Sequence, residues 1–135
     1  MNVVADTSVW SMALRRAAPR GTPEERELAE LVREGRVWML GAIRQELLSG
    51  IRTAEQFDRL RERLRAFPDV PLEAADYEEA ASHFNRCRAR GVQGSNTDFL
   101  LCAVAQRRGA SIFTADEDFT RYARILPIKL HRPRS

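Results

Sequence analysis

The chain has 135 residues, 44% hydrophobic and 30% charged, which fits one globular domain (1–135) with a real core and leaves no room for two comfortable ones. No run approaches the roughly 20 apolar residues that span a bilayer, and the opening MNVVADTSVW lacks a basic leader and long apolar segment, so the expectation is a cytoplasmic protein with no membrane contact. The net charge is only +3, but 21 of its 22 basic residues are Arg and the other is Lys129; the bias suits a phosphate ligand and equally suits an Arg-rich genome, so it decides nothing alone.

Asn2 to Ala5 reads as a first strand ended by Asp6, with Thr7 or Ser8 able to cap the short helix that follows. Pro23, Glu24 and Glu25 open a helix that stops near Gly35, with Leu28, Leu31 and Val32 as its apolar stripe. Val37 to Leu40 is a short buried strand, and the helix after Gly41 carries Ile43, Leu47 and Leu48 up to Gly50. Thr53 starts an amphipathic helix with Phe57, Leu60, Leu64 and Phe67 at helical spacing, and Pro68 and Pro71 bracket an extended piece around Val70. Ala74 to Arg90 is a helix with Tyr77, Ala80, Ala81, Phe84 and Cys87 on one face, stopped by Gly91. A loop leads to a helix from Asp98 to about Arg108, which Gly109 caps; Ser111 to Thr114 and Leu126 to Leu130 are the remaining strands. This alternation predicts an α/β fold, a mostly parallel sheet of about four to five strands between helices. Cys87 and Cys102 fall inside helices without metal-ligand spacing and read as buried free thiols. His83 and His131 read as surface or helix-face residues.

Position makes four carboxylates informative. Asp6 and Asp116 each follow a strand, and in open α/β sheets ligands bind beyond the carboxyl ends of strands. Glu46 lies in the helix after the second strand, and Asp98 opens the helix before the strand at 111–114. Alone, Asp98 could be a first-turn capping acid and Glu46 a solvated helix residue. Together, like charges in one crevice repel and raise their own pKa values unless a cation intervenes, and an all-oxygen set suits Mg²⁺ or Mn²⁺ rather than zinc. Such an ion would polarise a phosphate and activate an attacking water.

The stretches VVADTSVW at 3–10, AIRQELLSG at 42–50, SNTDFLLCAVA at 95–105 and FTADEDF at 113–119, in this order and spacing, resemble the PIN-domain ribonucleases, and within them the VapC toxins of toxin–antitoxin pairs. The resemblance implies a three-layer α/β/α sandwich. It implies a catalytic quartet of Asp6, Glu46, Asp98 and Asp116, with Asp6, Asp98 and Asp116 as metal ligands and Glu46 as a further metal ligand or a water-positioning one. Ser8 and Thr114 stand as supporting hydroxyls. Asp118 competes with Asp116 for the fourth place, or is a helix N-cap. The implied reaction is Mg²⁺- or Mn²⁺-dependent hydrolysis of RNA, often transfer or ribosomal RNA, leaving 3′-hydroxyl and 5′-phosphate ends. A cognate antitoxin partner and a homodimer are implied as well, with the helices between about residues 23 and 65 contributing partner surface.

An acidic centre needs a basic rim to hold RNA, and Arg15, Arg16 and Arg44 are the candidate phosphate contacts, with Arg86, Arg88 and Arg90 ahead of the Asp98 loop. Trp10 could stack a base or pack in the core. Two other functions compete. A magnesium-dependent phosphotransfer protein also uses an Asp after a strand, but phosphatases want a second Asp two residues later, where Ser8 stands. A non-catalytic RNA-binding adaptor of PIN type would have little reason to keep four convergent acids.

Overall fold

A computed structural model of the chain describes residues 1–14 and 21–134; the expectations for Arg15 and Arg16 lie outside the described residues. The centre is strand β1 (Val3–Ala5), flanked by β2 (Val37–Trp38) and β3 (Ser111–Phe113) in the order β2-β1-β3, with both pairings parallel. All three β1 residues are buried and apolar, as expected of a parallel strand covered on both faces. Helices α1 (Thr7–Leu14) and α2 (Pro23–Arg33) carry the chain from β1 to β2. Helices α3 (Gly41–Leu48), α4 (Ala54–Leu64), α5 (Ala74–Ala89) and α6 (Asn96–Arg108) carry it across to β3, and α7 (Asp118–Ala123) follows. Because the chain leaves β1 toward β2 and returns on the other side, the carboxyl ends of β1 and β3 flank the point where the winding reverses.

The extended piece expected around Val70 and the strand expected over Leu126 to Leu130 each join the sheet through a single parallel bridge, Met39 with Asp69 and Ile112 with Leu130. Backbone bonds from Val70 N to Met39 O (2.9 Å) and from His131 N to Ile112 O (2.7 Å) hold them. Pro68, Pro71, Pro127 and Pro133 surround these segments, and a residue without an N–H cannot extend a ladder. The β2 strand likewise stops at Trp38, short of the expected Leu40.

Helix starts follow capping chemistry. The side chains of Thr22, Thr53 and Ser95 accept from the backbone N–H of Glu25, Gln56 and Asp98. Helix α6 therefore begins at Asn96, two residues before the expected start, and Asp98 is its third residue. Helix α1 corrects the expectation of a Thr7 or Ser8 cap: Asp6 Oδ1 accepts from Ser8 N at 3.1 Å and Val9 N at 3.5 Å. The buried stripe of α5 is Asp76, Ala80, His83 and Cys87, while Tyr77 is 56% exposed. The stripe is rotated from the apolar reading because two of its polar members are satisfied. Asp76 receives Arg107 at 2.6 Å and Arg108 at 2.9 Å from α6, and His83 Nε2 meets Gln106 Oε1 at 2.7 Å.

The C-terminal segment is tied to α2 through buried Glu27, which bonds His131 Nε2 at 2.6 Å and Arg134 Nε at 3.1 Å. Cys87 and Cys102 are free and buried; burial pushes both thiols up, which makes them packing residues rather than nucleophiles. Among the described residues no helix is long and apolar enough to cross a membrane.

Candidate active site

Asp6 is built into the seam between β1 and β3. Its Oδ1 caps α1 and also receives Ser8 Oγ–H at 2.5 Å, while its Oδ2 receives Thr114 Oγ1–H at 2.9 Å. Each hydroxyl in turn accepts a backbone N–H from the loop after β3: Ala115 N reaches Ser8 Oγ at 3.0 Å and Asp116 N reaches Thr114 Oγ1 at 2.9 Å. An amide N–H can only donate, so both hydroxyl protons are left to point at Asp6. The carboxylate is thus an acceptor on both oxygens and is 6% exposed. Ser8 and Thr114, two residues 106 positions apart, lock the ends of the two strands together through it.

Asp98 sits on the first turn of α6, where unpaired backbone N–H groups favour negative charge. Its Oδ2 accepts the Tyr122 phenol at 2.8 Å. Tyr122 comes from α7 and is fully buried against Phe99 and Phe119, at ring-centroid distances of 4.9 and 5.1 Å. Gly94 makes room for it, since a Cβ there would lie 2.2 Å from the Tyr122 hydroxyl. Neither Tyr122 nor Gly94 carries a local sequence signal. A Tyr 24 residues beyond an Asp becomes its partner only when α7 folds back onto α6. Across the site, Glu46 Oε1 accepts Thr7 Oγ1–H, which ties α3 to the start of α1. Thr7, Glu46 and Thr97 line an open groove together with Ala42, Gln45 and Ser49.

The acids feel one another. Burial pushes the Asp6 carboxyl above the ordinary range, against the pull of Ser8, Thr114 and Val9, and the charge of Asp116 pushes it further. Burial also raises Asp98, against Tyr122 and Ser95, with Asp116 and Glu46 adding like-charge repulsion. Asp116 therefore couples to both, and its own Oδ1 accepts Asp118 N at 2.9 Å. The carboxylate of Asp118 is turned instead to Arg121 on the exposed side of α7. Burial and the neighbouring Asp98 hold the Tyr122 phenol well above its usual range, so it stays a donor.

Among the described residues no three His, Cys, Asp or Glu side chains are drawn close enough to close around an ion. A hard cation such as Mg²⁺ does not need that cage, because one or two carboxylates, water and a substrate phosphate commonly complete its shell. The oxygen-only donors and the like-charge pressure on Asp6 and Asp98 fit such a cation. They do not fit zinc, because His83 and His131 are engaged inside the fold.

Other candidates fall elsewhere. Arg44 was expected at phosphate, but its guanidinium is spent within the fold. It bonds Asp69 Oδ1 at 2.9 Å and the carbonyls of Leu64 and Phe67. Trp10 is 1% exposed and meets Phe67 edge-on at 5.0 Å, which makes it a core residue.

Residues 3–125 match the PIN domain family. A VapC ribonuclease of Mycobacterium bovis is 30% identical over 125 residues, covering 91% of this chain and 92% of that protein. Ribonuclease VapC11 of Mycobacterium tuberculosis matches to the same extent, 30% identical over 125 residues. In three dimensions the chain is similar to FitAcB from Neisseria gonorrhoeae, with a TM-score of 0.76, 20% identity and 97% of both chains covered. It is also similar to VapBC2 from Rickettsia felis bound to a DNA fragment from their promoter, with a TM-score of 0.78, 16% identity and coverage of 97% and 98%. Family match, sequence identity and fold similarity agree: the chain belongs to the PIN-domain family, in its VapC branch.

Proposed function

We propose that the chain is a Mg²⁺- or Mn²⁺-dependent ribonuclease that hydrolyses RNA phosphodiester bonds. The observation that carries the reading is the gathering of acids at the carboxyl edge of the sheet, where the charge of Asp116 reaches both Asp6 and Asp98 and that of Glu46 reaches Asp98. The names of the relatives, ribonucleases that align over 91% of the chain, support the choice of RNA. Asp6, Asp98 and Asp116 are the carboxylates that would hold the cation, one or two directly and the rest through its waters, with Glu46 lining the neighbouring groove and Asp118 turned away to Arg121. Bound there, the cation neutralises charge at the phosphate and polarises its oxygens. Ser8 and Thr114 favour the ionised form of Asp6 against its burial and aim it, and Tyr122 fixes the rotamer of Asp98. Glu46, steadied by Thr7, orients the attacking water and takes its proton. The water oxygen bonds to phosphorus, the P–O3′ bond breaks with its electron pair on O3′, and O3′ takes a proton from solvent, leaving a 5′-phosphate and a 3′-hydroxyl.

Structured RNA, such as transfer or ribosomal RNA, is the proposed substrate. A cognate antitoxin is the proposed inhibitor, because the similar solved structures include VapBC and FitAB assemblies. A homodimer is the proposed working form. Purified protein should cleave total cellular RNA with Mg²⁺ or Mn²⁺. EDTA, Asp6→Asn or Asp98→Asn should lower the rate at least a hundredfold, on the order of a lost charge-stabilising group. RNA left intact by folded wild-type protein with either metal would sink the reading.

A further inference from the structure

Beside the acidic groove lies a second cleft that the quartet does not use. It opens between the C-terminal half of α5 and the start of α6, and is lined by Phe84, Arg88, Val92, Gln93, Gly94 and Phe99. Its volume of about 230 Å³ falls below the roughly 300–1,000 Å³ of pockets for drug-sized ligands, so it suits one planar ring system. Phe84 and Phe99 stand 5.6 Å apart at 75°, so a flat guest on one ring abuts the other. Phe99 is buried, Phe84 half-buried, and Arg88 and Gln93 are exposed at the mouth. Arg86 and Arg90 flank Arg88 and are also exposed.

We propose that this cleft takes one unpaired nucleobase of the RNA, beside the phosphate that is cut. The proposal rests on the ribonuclease reading and adds a subsite to it. The aromatic wall offers the π surface on which unpaired bases stack. The Gln93 amide offers a donor and an acceptor to a base edge, and the Arg88 guanidinium can fork onto the adjoining phosphate. Placement ties the cleft to chemistry. Gly94 is its wall on one side and packs on the Tyr122 hydroxyl on the other, and that hydroxyl bonds Asp98. A base held here is therefore separated from Asp98 by the Gly94 backbone and the Tyr122 hydroxyl alone. A peptide side chain from a protein partner would fill the aromatic corner but leave the flanking arginines without anionic partners, so RNA is the better match.

The test is equilibrium binding of a short single-stranded RNA carrying 2-aminopurine, in EDTA so that nothing is cut. Wild type should quench the probe. Phe84→Ala and Phe84→Leu should weaken binding roughly 5- to 100-fold, as expected for the loss of one stacked base, while Phe84→Trp retains it. The Leu variant keeps apolar bulk, so an unchanged thermal melt separates lost stacking from lost folding. If wild type binds and cleaves RNA but Phe84→Leu binds equally well, the subsite is overturned and the ribonuclease reading stands. If wild type neither binds nor cleaves RNA, both fall. Loss of binding to a co-purified protein partner in Phe84→Leu, with RNA affinity intact, would also overturn it and assign the cleft to protein.

Discussion

At the scale of single residues, Asp98 depends on a group that never touches a metal. Tyr122→Phe keeps the buried ring and deletes only the hydroxyl 2.8 Å from Asp98. A hydrogen bond to a charged group is worth about 1.5–3 kcal/mol, so the melting temperature should fall by roughly 5–15 °C at about 3–5 °C per kcal/mol. RNA cleavage by folded protein should fall with it, because Asp98 loses its anchor. Gly94→Ala reaches the same carboxylate by another route: its Cβ must displace the phenol, because 2.2 Å is no contact at all. It should cost about 1–3 kcal/mol of stability, typical of overpacking, as well as activity; a Gly94→Ala protein with wild-type melting and rate would show that Tyr122 has other room. The pH behaviour follows from the raised Asp6 and Asp98 carboxyls. Between the ordinary Asp range and their folded values the native state binds more protons than the unfolded chain, so stability rises as pH falls through that window. Above it, both ionised groups cost stability. Asp98→Asn keeps an oxygen for Tyr122 and removes one charge, so in EDTA at neutral pH it should melt above wild type, with the gap closing toward pH 4. Thermal melts across that range decide it.

Among the elements, α6 is the one whose placement matters most, since it carries Asp98 and faces both clefts. Its far end is clamped by Asp76 of α5, where burial pushes the carboxyl up but the Glu73 N–H, Arg107 and Arg108 more than offset this and leave it below the ordinary range. The sign is opposite to that of Asp98: this contribution is present above the unfolded pKa and lost as pH falls through the lower folded one. Asp76→Asn should cost about 1.5–3 kcal/mol by denaturant unfolding. That is less than the roughly 3–5 kcal/mol of breaking a fully buried pair, because Arg107 and Arg108 keep 31% and 21% exposure and can return to water. Denaturant unfolding at pH 7 in which Asp76→Asn tracks wild type would refute the clamp. The same residue shows where sequence reading stops. Strand-end acids such as Asp6 and Asp116 and the helix start at Thr53 are local features, and their places were legible; the Thr22 cap, equally local, was missed. Asp76 and His83 lie on the buried face of α5 because partners on α6 satisfy them, and no periodicity of apolar residues contains that information. Arg44 failed for the same reason, its carbonyl partners being 20 and 23 residues away. The strand expected over Leu126 to Leu130 joins the sheet through one bridge, because apolar alternation does not reveal which N–H groups proline removes from a ladder.

For the whole molecule, the arrangement stores instability at one edge of the sheet and balances it with a tightly joined remainder. Asp6 and Asp98 are held against burial and like charge, while the Glu27 clamp on His131 and Arg134 and the Asp76 clamp fasten the periphery. A ligand that neutralises the edge must therefore stabilise the entire fold, since it binds the native state and finds no such cluster in the unfolded chain. At a free concentration a hundred times its dissociation constant, the gain is about 2.7 kcal/mol. For a chain of 135 residues this converts to a rise of roughly 10 °C in melting temperature, using about 3–5 °C per kcal/mol. Differential scanning fluorimetry with Mg²⁺ or Mn²⁺ against EDTA should show that rise near pH 7.5. The rise should shrink toward pH 4, where the carboxylates must give up protons before they can bind. It should also be largely lost in an Asp6→Asn, Asp98→Asn double variant. Calcium provides a control on geometry: it shares the preference for oxygen but takes longer bonds and more ligands, so it should stabilise the fold without restoring cleavage. An equal rise in the double variant would place the cation elsewhere and separate the stability of this fold from its acidic edge.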